Sequence, residues 1–170
     1  MKISFQKGNL IEQFKLNKFD YIAHQMNCMP NENYAGIAHY LTQEFPELKK
    51  SDLDYKNIES FVYGKYSFLN TQFGNIVNLY GQFMPGGCND NSETDTFVIR
   101  VVELGNALIG LLAWYPEMKE LGIPLIASGL AADQTLKGNK TDLEYFKEYI
   151  QPIFEKVFEN TQVNITVMYL

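Results

Sequence analysis

The stretch FDYIAHQMNC at residues 19–28 constrains the fold more than any other part of the chain. Its apolar run at 21–23 is followed at once by the polar residues His24, Gln25 and Asn27. A strand that is apolar at consecutive positions is typical of the inner strands of parallel sheets, which are covered on both faces. The stretch therefore predicts a central strand of an α/β sheet that ends in polar side chains.

Other segments show alternating strand and helix patterns. Apolar residues recur at helical spacing in three segments, and runs rich in β-branched and aromatic residues predict five further strands. The predicted helices are 35–45, 94–114 and 141–157, and the predicted strands are 3–5, 60–69, 74–83, 123–127 and 163–170. Strands first, then alternating helices and strands, predict a three-layer α/β/α domain with a central mixed sheet.

Turn residues and helix signals mark the boundaries between these segments. The stretch MPGGCNDNSETD at 84–95 predicts a loop whose charges are exposed, or alternatively a loop that folds over a ligand as a lid. Thr141 and Glu144 match a capping box, and Pro152 predicts that the last helix kinks or begins anew there. No repeat or composition shift divides the chain, so we expect one domain over residues 1–170.

Charge and composition exclude several classes of protein. The net charge is −6, and the 14 basic residues form no dense cluster, so a nucleic-acid backbone would be repelled. The start MKISFQKGNL lacks the apolar core of a signal peptide, and no stretch reaches the roughly 20 apolar residues of a membrane span. We expect a cytoplasmic monomer that binds neither nucleic acid nor membranes.

The two cysteines predict neither a disulfide framework nor a metal site. Cys28 and Cys88 lie far apart in a chain with no export signal, so we expect two thiols. Together with His24 and His39 they match no zinc-binding spacing. We expect no metal and no cofactor.

Three predicted strand ends carry residues that suit a ligand cleft, because ligands of α/β sheets bind beyond the carboxyl ends of the strands. These ends are Gly8-Asn9, HQMN at 24–27 and SGLAA at 128–132. Small residues leave backbone N–H groups accessible to a phosphate oxygen, although a tight turn would have the same composition. Neither the G-x-G-x-x-G nor the G-x-x-x-x-G-K-[ST] motif occurs.

In this order the motifs resemble the macro domain family, which binds ADP-ribose. Within it they are most similar to the branch of the ADP-ribose 1″-phosphate phosphatase and the terminal ADP-ribose glycohydrolase. KGNLI looks like the first strand and turn of the family, IAHQMNC the second strand, AGIA the glycine loop, IASGLAA the phosphate loop and NITVMYL the closing strand. The resemblance covers nearly the whole chain and is least specific over residues 47–120.

The resemblance implies a set of ligand-binding residues. Asn9 stands where the family has an adenine-binding aspartate, Asn27 matches the asparagine that contacts the distal ribose, and Gly36 matches the loop beside the diphosphate. From the residues alone, Asn27 could equally be a turn residue that bonds its own backbone. The full implied set is Gly8, Asn9, Leu10, Asn27, Ala35, Gly36, Ile37, Ser128, Gly129, Leu130, Ala131 and Ala132.

His24 and Asp133 are the candidate catalytic residues. The yeast-type phosphatase is similar in having a histidine at the place of His24, whose side chain we expect to face outward. With an unperturbed pKa of about 6.5, an imidazole can activate water or attack phosphorus near neutral pH. Asp133 could orient His24 or a water. The structural alternatives are a hydrogen-bonded core histidine and a surface aspartate that precedes a helix.

Two other catalytic schemes of the family are not matched. The acid that the hydrolases carry in the glycine loop falls on Ala38, and the glycohydrolase lysine and aspartate fall near Gln82 and on Ala131. The resemblance therefore implies binding of ADP-ribose or ADP-ribose 1″-phosphate, with phosphatase action on the latter. The alternatives are removal of mono-ADP-ribose from ADP-ribosylated protein, and binding without catalysis.

Overall fold

One mixed sheet organises the computed structural model, which describes residues 1–30, 34–59, 61–89 and 91–170. Its strands are β1 (Lys2–Lys7), β2 (Tyr21–Asn27), β3 (Tyr66–Thr71), β4 (Gly74–Gln82), β5 (Glu120–Ile123) and β6 (Asn164–Tyr169). Their order is β1-β6-β5-β2-β4-β3, and every neighbouring pair is parallel except β3 with β4. All strands except β3 therefore end at the same edge of the sheet, and β2 lies inside it, as predicted.

Helices cover both faces of the sheet. They are α1 (Leu10–Lys15), α2 (Ile37–Glu44), α3 (Glu47–Ile58), α4 (Phe97–Trp114), α5 (Gln134–Lys137), α6 (Asp142–Tyr145) and α7 (Gln151–Phe158). Buried residues of α1, α2 and α3 share one hydrophobic core with Ile22 and Ile76, whereas those of α4 and α7 share another with Ala23 and Val77. Successive strand residues thus serve opposite faces, and the predicted three-layer arrangement is confirmed.

The long helix α4 lies against the larger core. With 18 residues and a mean hydropathy of 1.7, it is the one helix among the described residues that is long and apolar enough to cross a membrane. Core helices have the same composition. Leu104, Leu108 and Leu111 are fully buried in the core that α4 forms with the sheet.

The helical segment before β6 has the predicted break. Thr141 and Glu144 form both bonds of the capping box at the start of α6. A π-helical turn at Phe146–Ile150 then leads into α7, where Pro152 occupies the first turn. Proline is tolerated there because the first N–H groups of a helix have no intrahelical acceptor.

The structure corrects two predicted strands. β5 covers Glu120–Ile123 and not 123–127, because Pro124 is followed by a tight turn in which the Ile126 N–H bonds the Pro124 carbonyl at 2.8 Å. β3 begins at Tyr66, after a turn at Gly64 whose φ of +74° favours glycine. Position 60, the predicted start of this strand, lies outside the described residues.

Helix α3 is absent from the predicted elements. Only Leu48 and Asp52 of its 12 residues are buried, so it carries no apolar stripe that a periodicity argument could find. Its buried aspartate becomes important at the site.

Candidate functional site

The loops after β2, β4 and β5 come together at the carboxyl edge of the sheet. The Cys28 N–H donates to the Gln82 carbonyl at 3.0 Å, which joins the ends of β2 and β4. A Cβ atom on Gly87 would lie 3.2 Å from the Ala132 carbonyl, so the 84–89 loop contacts the loop at 127–132. Of the three strand ends that were predicted to converge, those at 24–27 and 128–132 do so, and the loop after β4, which was not among them, lies between them.

A small cavity lies beneath these loops. It measures about 10 Å³, and Gln25, Gly81, Arg100 and Ala131 are among its lining residues. Drug-sized ligands need several hundred Å³, so a nucleotide would have to lie on the solvent side of the loops. A larger groove, of about 580 Å³, lies elsewhere, at the β3 edge between α3 and α4.

The loop at 127–132, here called the phosphate loop, presents backbone groups to solvent. Ala127 has a φ of +60°, which is unusual for a residue with a side chain and marks a strained turn. The Ser128 hydroxyl donates to the Ile126 carbonyl at 3.0 Å, and the Ala132 N–H donates to the Gly129 carbonyl at 3.1 Å. No group in the described part of the chain accepts from the N–H groups of 129–131.

Space remains open at the middle of the phosphate loop. A Cβ atom on Gly129 would have only Asp142 Oδ2 within reach, at 3.9 Å, and the Leu130 side chain is exposed. Ala132 and Ser128 are fully buried, so neither residue is exposed to a ligand in this structure. Three consecutive N–H groups without an acceptor in the described structure are donors that an anion could use.

The glycine loop at 35–37 leads into α2. Gly36 has a φ of +57° and caps α2 without a side-chain hydrogen bond. Ala35 and Gly36 are exposed, and Ile37 is half-buried. Because uncapped N–H groups and the helix dipole favour negative charge, the start of α2 also suits an anion.

The turn after β1 is engaged in capping α1. Asn9 Oδ1 accepts from the N–H groups of Ile11 at 2.9 Å and Glu12 at 3.4 Å. Gly8 donates its N–H to the Tyr169 carbonyl at 2.8 Å, and the Leu10 side chain is buried in the core. The predicted contact with the adenine amino group needs an acceptor, and Asn9 Oδ1, the acceptor of this side chain, is engaged by the α1 N–H groups. The adenine contact stays a prediction.

Asn27 stabilises a turn, which was one of the two roles predicted for it; the other was contact with a ribose. Its Oδ1 accepts from the Met29 N–H at 3.0 Å, a bond to its own backbone two residues on. The side chain is half-buried. Contact with a ribose stays a prediction for its amide nitrogen.

The prediction that His24 faces outward is wrong. Its side chain is 1% exposed and follows Ile22 onto the α1–α3 face of the sheet. Its Nε2 lies 2.7 Å from Asn78 Oδ1, and Asn78 Nδ2 donates to Ser67 Oγ at 3.1 Å. The Asn78 oxygen therefore accepts, and His24 Nε2 donates.

Burial determines the protonation of His24. Desolvation disfavours the imidazolium and lowers its pKa to about 4, outweighing the hydrogen bond to Asn78. Its Nδ1 has no partner among the described residues. The catalytic role of His24 stays a prediction, and in this structure the ring is not exposed to solvent.

Further buried polar groups continue from Asn78 to α3. The Ser67 hydroxyl bonds the Tyr80 hydroxyl at 2.9 Å, which donates to Asp52 Oδ1 at 2.7 Å. Asp52 pairs with Lys56 at 3.0 Å, and both side chains are almost completely buried. The pair also holds the chain after β2, because Lys56 donates to the Met29 carbonyl at 3.0 Å.

Asp133 caps a helix. Its Oδ1 accepts from the Leu136 N–H at 2.9 Å at the start of α5. The expectation of a helix-preceding aspartate is confirmed, although the residue is buried at 6% exposure and not on the surface. Its catalytic role stays a prediction.

The expectation of exposed charges in the 84–95 loop is wrong for Asp95, and position 90 lies outside the described residues. Asp95 is 2% exposed and pairs with Arg100, which is 4% exposed. Sequence reasoning missed this pair. The sequence signal for this pair was an Asp and an Arg five residues apart at the start of a predicted helix. Because such spacing is common in proteins, it did not single out a buried ion pair.

The sulfur atoms show no special chemistry. Cys28 and Cys88 form no disulfide in the described structure, and burial raises the pKa of the Cys28 thiol to about 12. The Cys88 thiol lies 3.9 Å from the Ala131 carbonyl. No group of three or more His, Cys, Asp or Glu residues in the described ranges is placed to hold a metal ion.

Comparison with known proteins identifies the fold by its shape and not by its sequence. No protein-family model and no curated protein matches the chain. A Bacteroides thetaiotaomicron protein of unknown function matches with a TM-score of 0.77 at 19% identity, over 100% of this chain and 99% of that one. The macrodomain of Thermus aquaticus DarG matches with a TM-score of 0.68 at 14% identity, over 99% and 98%.

A third similar structure contains a ligand. Thermosipho africanus DarTG in complex with ADP-ribose matches with a TM-score of 0.69 at 11% identity, over 99% of this chain and 41% of that one. At such identities the likeness shows the fold alone. The chain has the macrodomain fold, which confirms that part of the resemblance, and the phosphatase or glycohydrolase branch stays a prediction.

Proposed function

We propose that this protein binds ADP-ribose at the carboxyl edge of its sheet. The observation that carries the proposal is the set of three N–H groups at 129–131, for which no acceptor lies among the described residues, in a loop with open space beside Gly129. β5 and β2 are adjacent and parallel, so the loops that follow them are neighbours. The start of α2, which follows β2, and the phosphate loop each suit a phosphate group.

The charge of the chain makes local N–H donors important. A diphosphate approaches a protein of net charge −6, so attraction has to come from groups at the site. Each hydrogen bond from an N–H group to a charged oxygen contributes about 1.5–3 kcal/mol. Several such bonds can offset the unfavourable net charge.

Binding is better supported than hydrolysis. A phosphatase needs a group that reaches the phosphorus atom or the attacking water. His24 is enclosed on the α1–α3 face, and Asp133 Oδ1 is occupied by capping α5. Removal of the 1″-phosphate and removal of ADP-ribose from proteins therefore stay predictions, which product analysis tests directly.

Calorimetry with ADP-ribose tests the binding proposal. Gly129→Leu should abolish binding while the protein stays folded, since the added side chain enters open space that the phosphates would occupy. Asn160→Leu adds the same side chain to the turn between α7 and β6, at the opposite edge of the sheet, and should leave affinity unchanged. No heat from the wild type at millimolar ADP-ribose would refute the proposed function.

Incubation with ADP-ribose 1″-phosphate separates a binder from a phosphatase. We expect bound but unchanged ligand, with no inorganic phosphate released. Phosphate release that His24→Gln abolishes would instead support the phosphatase. The same assay with mono-ADP-ribosylated protein tests the hydrolase alternative.

A further inference from the structure

A buried ion pair lies between the two loops on the α4 side of the site. Arg100 Nε donates to Asp95 Oδ1 at 2.8 Å, and Arg100 Nη2 donates to Asp95 Oδ2 at 2.6 Å. Burying two charges carries a desolvation penalty, so such a pair is by itself weak evidence for stability. The other hydrogen bonds of the Arg100 guanidinium indicate the structural role of the pair.

The remaining contacts of Arg100 are all with loop carbonyls. Its two terminal nitrogens donate to the carbonyl oxygens of Gly86 at 2.8 Å, Gly87 at 2.9 Å, Ala131 at 3.2 Å and Met84 at 3.3 Å. Asp95 Oδ1 also accepts from the Phe83 N–H at 3.0 Å. The pair thus attaches both the 84–89 loop and the phosphate loop to the start of α4.

We propose that Arg100 is a positioning residue, which holds these two loops in the geometry that binds ADP-ribose without touching the ligand. This inference rests on the proposed function. If only a fraction of molecules has the competent loop geometry, the observed Kd rises by the reciprocal of that fraction. Loosening the loops therefore weakens binding even when the protein stays folded.

Lysine is the informative replacement for Arg100. An ammonium keeps the charge opposite Asp95 but offers three donors on one atom, whereas a guanidinium offers five in a planar fork. Arg100→Lys can therefore balance the buried carboxylate but cannot bond four carbonyls on two loops. We expect its Kd for ADP-ribose to be at least about tenfold higher than that of the wild type.

Phe158→Ala is the matched control for loss of stability. Phe158 is fully buried at the end of α7, where the chain turns into β6 at the opposite edge of the sheet from the two loops. The variant should lower Tm yet keep the Kd, because affinity is a property of the folded molecules. If Phe158→Ala weakens binding as much as Arg100→Lys does, the positioning role is refuted.

Hydrogen exchange tests the positioning without a ligand. The Met84 and Ala132 N–H groups are hydrogen-bonded in the two loops, at 3.4 Å to Asp95 Oδ2 and 3.1 Å to the Gly129 carbonyl. In Arg100→Lys both should exchange faster relative to the β4 amides, and in Phe158→Ala they should not.

The two measurements together separate the possible failures. The wild type could fail to bind ADP-ribose while the loops of Arg100→Lys still exchange faster than those of the wild type. This result would support the positioning of the loops and refute only the proposed ligand. A Kd within twofold of wild type and unchanged loop exchange would make Arg100 merely a counter-ion of Asp95 and overturn the inference.

Discussion

Replacing His24 with glutamine should flatten the dependence of stability on pH. The glutamine amide can still donate to Asn78 Oδ1, as His24 Nε2 does at 2.7 Å, but it does not titrate. Folded His24 has its pKa lowered to about 4 by burial, whereas in the unfolded chain its pKa has the ordinary value of 6.5. Between these values only the unfolded chain binds the proton.

The sign and size follow from linkage. Because the folded pKa lies below the unfolded one, the stability contribution is present above pH 6.5 and is lost as the pH falls towards 4. The gap corresponds to about 3 kcal/mol, of which about 2 kcal/mol is lost between pH 7 and pH 5. His24→Gln should therefore lose about 2 kcal/mol less than wild type over this interval.

Urea unfolding at the two pH values measures this difference. His39, the other of the two histidines, is exposed on α2, so His39→Gln is the matched control and should keep the wild-type dependence. Proton NMR should show that the His24 ring does not titrate above pH 5. A His24 midpoint near 6.5, or equal pH dependence in wild type and His24→Gln, would show that the ring is accessible to solvent and would refute the buried state of His24.

Substitutions of Asp133, Lys56 and Gly36 test the roles of other residues. Asp133→Ala should lower the free energy of unfolding by about 1 kcal/mol in urea, since the carboxylate caps α5, whereas Asp133→Asn should not; equal losses would argue against capping. Lys56→Met should cost about 3–5 kcal/mol by leaving Asp52 as an unpaired buried charge, and adding Asp52→Asn should restore most of the Tm; no recovery would mean that lost packing dominates. Gly36→Ala meets no atom within 4 Å but needs a φ of +57°, so it should cost about 1–3 kcal/mol and weaken ADP-ribose binding in calorimetry; an unchanged Tm would show that this turn relaxes.

Much of the site could be located from the sequence because its loops follow predicted strands. The small residues at 128–132 and the glycine at position 36 can be recognised in the sequence, and the parallel sheet brings the ends of β2 and β5 together. The orientation of His24 could not be predicted in the same way. In a strand that is buried on both faces, the apolar pattern does not show which face the next side chain takes.

The amino-acid sequence by itself determined the central strand, the long apolar helix, the break at Pro152 and the three-layer class, because these depend on local periodicity and on the chemistry of single residues. Only the tertiary structure decided what the buried charges do. Arg100 donates to carbonyls of residues that lie 13 to 31 positions away in the sequence. Asp52 accepts a hydrogen bond from the hydroxyl of Tyr80, which is 28 positions away. Such partners meet only after the sheet has assembled, since removing a charge from water is tolerable only where the fold supplies its hydrogen bonds.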